Sequence, residues 1–141
     1  MRKALFALML TLLFLPSVAG EREEYLVLLK VRLLEAKSGK HVKMTASWYG
    51  PRFHGRRRAD GKRYNMHDPG VVAHKTLPFG TKLRLETENG SKLDVVVRDR
   101  GPYWSGRHLD LSYGAAEKLG IVEEGVATLR VTIISLPKGP K

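Results

Sequence analysis

Two carboxylates frame the stretch VVVRDRGPYWSGRHLDLS, which runs from Val95 to Ser112 and carries Asp99 and Asp110. Paired carboxylates can share acid–base work at a glycosidic bond, one of them giving a proton to the leaving oxygen. A plainer reading is open too. An aspartate at a strand end beside Gly101-Pro102 commonly accepts backbone N–H bonds in a turn. Asp110 lies two residues before Ser112, the better helix cap, so its carboxylate is spare for other work. His74 ends the apolar run VVAH and could act as a general acid or base near neutral pH, or be held in structural hydrogen bonds. No HExxH or comparable metal spacing surrounds it, so neither a zinc site nor any other cofactor is expected.

Aromatic residues cluster around these groups. TASWYGPRFHGRRRADGKRYNM (45–66) carries Trp48, Tyr49, Phe53 and Tyr64 among arginines and a lysine. Flat rings suit the C–H faces of sugars, and the cations suit carboxylates or phosphates. Trp48 and Tyr49 could instead be core residues of a first strand. Arg100, Tyr103 and Trp104 follow Asp99 and complete a candidate substrate-binding set. His54 and His108, near loop glycines, could support it.

The elements that must position these groups are short. MTASWYG, GVVAHKT, TKLRLET, KLDVVVR and TLRVTII alternate β-prone residues with turn signals. Glu88-Asn89-Gly90 between two of them predicts a hairpin, since Asn-Gly accepts positive φ. One helix is clear: Ser112 caps it, YGAAEKL forms it and Gly120 ends it. Five or six strands with one or two short helices predict a small closed barrel.

The chain of 141 residues has room for one domain. Arg2 and Lys3, the apolar run ALFALMLTLLFL and the small residues Ser17 and Ala19 read as a signal peptide over 1–19. An N-terminal extension is expected over 20–43, the barrel over 44–135 and a tail over 136–141. There is no cysteine, which excludes disulfides, a zinc–thiolate site, a cysteine nucleophile and a lipid anchor on cysteine. The formal charge is +11, and +9 once Arg2 and Lys3 are removed (11 − 2). Such a surface favours polyanions. With an export signal, an anionic cell envelope is the expected neighbour rather than nucleic acid. A periplasmic or secreted monomer, not inserted in the membrane after cleavage, is the expectation.

ASWYGPRFHGRRRADG, AHKTLPFGTKLRL, VRDRGPYWSGRHLDLSYGAAEKLG and GVATLRVTII resemble, in that order, the rare lipoprotein A family over 44–134. The resemblance implies a mainly β fold, a six-stranded double-psi β-barrel shared with expansins and a class of endoglucanases. It implies a lytic transglycosylase acting on peptidoglycan glycan strands, preferring those stripped of stem peptides. Such an enzyme cuts between N-acetylmuramic acid and N-acetylglucosamine without water: the muramic 6-hydroxyl attacks C1 and leaves a 1,6-anhydro end. By the family motifs, Asp110 matches the aspartate before Leu-Ser and is the candidate acid, with Asp99 of the DRGP motif and His74 of the AHxTLP motif in support. ADGKRYNM departs from the pattern. Lys62 and Asn65 stand where a glutamate and an aspartate are usual in the family, and neither is a carboxylic acid. Asp60 and Asp68 are the other acids that could stand in for the missing glutamate. The alternative reading is therefore a non-catalytic, expansin-like module that binds peptidoglycan. The resemblance also leaves no room for the sporulation-related repeat that many members carry, so septal targeting is not expected to transfer.

Overall fold

A computed structural model describes residues 41–137 of the chain. The signal peptide expected over 1–19 and most of the extension lie outside the described residues. Six strands close a barrel: β1 (Val42–Tyr49), β2 (Val71–His74), β3 (Lys82–Glu86), β4 (Lys92–Asp99), β5 (Leu109–Ser112) and β6 (Val126–Ser135). They follow one another round the wall as β1-β5-β2-β4-β3-β6. β1 runs parallel to β5 and β2 parallel to β4, while the other four pairings are antiparallel. Parallel neighbours require crossovers. The 51–70 loop feeds β2, and the 100–108 loop feeds β5.

Alternation decides what fills the barrel. Ala46, Val72, Leu83, Leu85, Val95, Val97, Leu109, Leu111, Leu129 and Val131 are all buried and form the core. Their neighbours along each strand face outward. The hairpin expected at Asn89-Gly90 joins β3 to β4, with Gly90 at φ +90° and its N–H bonded to the Thr87 carbonyl. Two boundaries move. β1 starts at Val42, inside the segment expected to be an extension. Leu109–Ser112, expected only as a lead into the helix, is a strand paired on both sides.

The helix α1 (Tyr113–Leu119) starts as expected, with the Ser112 Oγ accepting from the Ala115 N–H and Gly120 closing it in the left-handed conformation. Its buried Gly114 gives its N–H to the Met66 carbonyl at 2.8 Å, tying α1 to the end of the 51–70 loop. A methyl group there would lie 2.4 Å from the His67 carbonyl oxygen. Helix propensity alone favours Ala over Gly by about 1 kcal/mol. Because the obstacle is backbone, Gly114→Ala should instead destabilise by about 1–3 kcal/mol. A melting temperature equal to or above wild type would contradict that close approach.

Candidate functional site

Strand pairing brings the two carboxylates into one row. Ser47 of β1 pairs with Asp110 of β5, Asp110 with Ala73 of β2, and Ala73 with Asp99 of β4. Paired residues point to one side of a sheet. Because Ala46, Val72, Leu109 and Leu111 point into the core, Ser47, Ala73 and Asp110 face out. Asp99 joins them through a bulge. Val72 pairs with Val97, but Ala73 pairs with Asp99, so Arg98 is the extra residue. Without it, alternation from buried Val97 would turn Asp99 toward the core; an inserted residue re-aims the chain that follows. Ala73 is the residue between the two carboxylates in this row, and it is itself buried.

The two acids have different surroundings. Asp99 is fully engaged. Its Oδ2 accepts from the Tyr49 hydroxyl at 3.1 Å, and its Oδ1 accepts from the Ala59 and Arg100 N–H groups at 2.8 and 2.9 Å. It pins the 51–70 loop to the end of β4. Asp110 accepts one side-chain hydrogen bond, from the buried Ser47 hydroxyl at 2.9 Å. Burial pushes its carboxyl above the ordinary range, and the negative charge of Asp99 adds to this. The Ser47 hydrogen bond and the positive charge of Arg107 act in the opposite direction without cancelling it. A raised carboxyl holds its proton more readily, the direction that suits donation to a leaving oxygen.

Tyr49 forms a wall beside this pair. Its ring stacks on Tyr64 at 4.1 Å between centroids and meets Phe53 edge-on at 5.7 Å. Burial, then the Asp99 charge, raises the Tyr49 hydroxyl, so it stays protonated and donates to Asp99. Phe53 is exposed at the loop edge, with the Arg56 guanidinium 5.7 Å from its ring centre. Tyr103 and Trp104 project from the 100–108 loop, 84% and 72% exposed.

Three expected residues lie elsewhere. Trp48 alternates to the other face of β1 from Ser47 and Tyr49. Its Nε1–H donates to the Val122 carbonyl and its ring packs edge-on against Tyr113, so it braces the helix side of the barrel. Tyr64 is 3% exposed and donates its hydroxyl to the Tyr49 carbonyl, so it backs the Tyr49 ring and offers no free face to a ligand. Arg100 spreads its guanidinium over Phe79 at 3.9 Å and donates to the His74 and Leu77 carbonyls. It clamps the β2–β3 turn.

His74 also departs from its expected role. It pairs with Leu109, one residue along from Ala73, and so lies on the opposite face of β2 from the carboxylate row. Its Nδ1 accepts the Thr76 and Leu77 N–H groups, which leaves the proton on Nε2. Burial, with the nearby charge of Arg100 next, lowers its pKa to about 4. At neutral pH it is therefore a fixed, uncharged N–H donor rather than a titrating acid or base. The unfolded chain takes up this proton near pH 6.5, whereas the folded state resists until about pH 4. The resulting stability is complete above pH 6.5 and lost as pH falls to 4, up to about 3 kcal/mol. His74→Asn keeps an acceptor for the turn and cannot titrate. Its unfolding midpoint in urea should fall less steeply than that of wild type between pH 6.5 and 4; parallel curves would refute the assignment.

Neither proposed substitute acid is free. Asp60 makes a bidentate pair with Arg58 at 3.0 and 2.8 Å and accepts the Lys62 N–H. Burial tends to raise its carboxyl, but the Arg58 and Lys62 hydrogen bonds outweigh that and hold it below the ordinary range. Asp68 caps its own turn through the Gly70 N–H. Lys62 is exposed, and the Asn65 side chain accepts the His67 N–H. Sequence reasoning missed Ser47, whose only signal was its place one residue before Trp48 in the first strand. Among the described residues there is no cluster of three metal-ligating side chains, and no helix is long and apolar enough to cross a membrane.

Comparison with known proteins adds family and fold. The family model described as "Lytic transglycolase" matches residues 41–131. A probable endolytic peptidoglycan transglycosylase RlpA of Aquifex aeolicus is 50% identical over 99 residues, covering 70% of this chain and 43% of that protein. The endolytic peptidoglycan transglycosylase RlpA of Vibrio cholerae is 38% identical over 126 residues, covering 89% of this chain and 48% of its own. This chain thus spans less than half the length of these relatives. Among solved structures, the Streptomyces papain inhibitor superposes with a TM-score of 0.54 at 24% identity, covering 69% of this chain and 96% of its own. The apo expansin of Clavibacter michiganensis gives 0.53 at 23% identity, covering 71% and 53%. At these identities both speak to the fold alone, a double-psi β-barrel.

Proposed function

We infer that this chain, which belongs to the lytic transglycolase family whose model matches residues 41–131, cleaves peptidoglycan glycan strands without water and leaves 1,6-anhydro ends. Its relatives' names supply the reaction class. The observation that carries the reading is the environment of Asp110: half-buried, singly hydrogen-bonded and raised above the ordinary carboxyl range beside a second carboxylate. In this reading Asp110 protonates the glycosidic oxygen as the C1–O bond breaks. The resulting carboxylate then accepts the proton of the muramic 6-hydroxyl as that oxygen bonds to C1. One group serves both steps, and no net proton is consumed. Asp99, with both oxygens accepting hydrogen bonds from Tyr49, Ala59 and Arg100, is an organiser and a source of negative charge. Tyr49, Phe53 and Trp104 are the proposed sugar platforms. The strands that suit the site are those stripped of peptide, and the workplace is outside the cytoplasm, where that polymer lies.

The test is digestion of peptide-stripped glycan strands followed by mass spectrometry of the products. Anhydromuramic ends are expected. Their absence, with a family enzyme active in parallel, would leave the second reading, a non-catalytic wall-binding module. The exposed Lys62 and the amide of Asn65 favour that reading, because each stands where the family resemblance leads one to expect an acid. It predicts co-sedimentation with sacculi that weakens with salt and produces no new ends.

A further inference from the structure

Arg107 is the basic side chain next to the candidate acid that the fold leaves uncommitted. The Trp104–Arg107 turn sets its position: the Arg107 N–H reaches the Trp104 carbonyl at 3.4 Å, and Gly106 takes φ +77°. On its other side, His108 is anchored to β1 twice, by its N–H to the Thr45 carbonyl at 2.8 Å and by its Nδ1 accepting the Thr45 N–H at 3.1 Å. Arg107 is thus fixed at both ends between exposed Trp104 and the start of β5, three residues from Asp110. Its side chain is half-buried, yet among the described residues its guanidinium has no hydrogen-bond or ion-pair partner. The other arginines that shape the site are occupied: Arg58 holds Asp60, and Arg100 holds two carbonyls. A partly desolvated guanidinium without a partner is suited to a carboxylate, which it can grip through two parallel hydrogen bonds.

The substrate class offers one such group. Muramic acid carries a lactyl ether on C3 of the same ring that is cut at C1. Its carboxylate is free when the stem peptide is gone and becomes a neutral amide when the peptide is attached. Building on the proposed function, we infer that Arg107 recognises the free lactyl carboxylate of the muramic residue whose bond is cut, and so selects peptide-free strands. The assignment has a second consequence. The Arg107 charge opposes protonation of Asp110, which is otherwise faced by Ser47 and Tyr49 from β1, Asp99 from β4 and Tyr64 from the loop. A bound carboxylate neutralises that charge and favours the protonated acid only when the right strand is in place.

The test uses peptide-stripped glycan strands and the same strands with their lactyl carboxylates converted to methylamides. Binding of both is measured for wild type, Arg107→Gln, Arg107→Lys and Lys118→Gln. Lys118 is an exposed cation in the last turn of α1 and controls for net charge. Wild type should favour the free carboxylate by about tenfold to a hundredfold, as expected for one charge-assisted contact. Arg107→Gln should bring the ratio to about one with unchanged affinity for the methylamide strand. Arg107→Lys should keep part of the preference, and Lys118→Gln should keep nearly all of it. A wild-type ratio near one, a wild-type ratio retained in Arg107→Gln, or an equal loss in Lys118→Gln would overturn the inference. Because binding requires no turnover, the result stands apart from whether anhydro ends form.

Discussion

Asp110→Asn should cut the release of anhydromuramic ends by a factor of about 10²–10⁴, the usual contribution of a placed general acid–base group, while binding of glycan strands changes little. The asparagine is almost the same shape, and its side-chain oxygen can still accept from the Ser47 hydroxyl. It cannot supply or take the proton. Fold should be preserved, because Asp110 holds no backbone N–H in place; the turn-making bonds belong to Asp99. Product release is followed by mass spectrometry and binding by sedimentation. Near-wild-type turnover in Asp110→Asn would remove Asp110 from the chemistry. Asp99→Ala offers a contrast: with both oxygens gone, the 51–70 loop should loosen, seen as faster amide exchange at Ala59.

Asp60→Asn should produce the largest loss of stability among substitutions near the site. Arg58 and Asp60 are 8% and 9% exposed, and removing one charge leaves the other covered and without its partner. A deeply buried pair broken in this way costs about 3–5 kcal/mol. This one lies in a thin loop whose neighbours Arg57, Ala59 and Gly61 are exposed, so water can reach Arg58 once the loop relaxes. The expected cost is therefore about 1–3 kcal/mol, that of a charged group left without its hydrogen bonds. The same bidentate geometry at Arg84–Asp94 is half-exposed on the barrel wall, and Asp94→Asn should leave the melting temperature nearly unchanged. Equal effects from the two substitutions would show that burial is not what distinguishes these pairs.

Much of the barrel was legible from sequence because strand alternation and turn residues are local signals. The Asn89-Gly90 hairpin, the Ser112 cap and the Gly120 stop all depend on neighbouring residues. β5 was obscured because its four residues run directly into the helix, so the capping signal of Ser112 dominates the alternation of Leu109 and Leu111. Within the site, the pairing of Asp99 with Asp110 was legible only as an expectation. They are brought together by β2, which lies between their strands but before both in the sequence. Trp48 and His74 turn away from the carboxylate row for one reason. Each sits one position along a strand from a residue that faces the site, and alternation sends it to the other face. Tyr64 could not be read at all, since its burial comes from a contact with Tyr49 across an irregular loop.

Ser47, Asp110, Ala73 and Asp99 come from four strands, and no two strands adjacent in this row are consecutive in the sequence. No hairpin of this fold contains the row, so no partly assembled form can carry it. The ladders of β1 with β5, β5 with β2 and β2 with β4 must all be in register, with the bulge at Arg98 in place, before the carboxylates share one row. Pairings so distant along the chain form slowly, because the loops between them must close first. The proposed cleavage, if assembled in this way, is silent until folding is complete. During refolding, the first anhydro ends should appear only after the signal for barrel closure, which makes the reaction itself a late reporter of the native state.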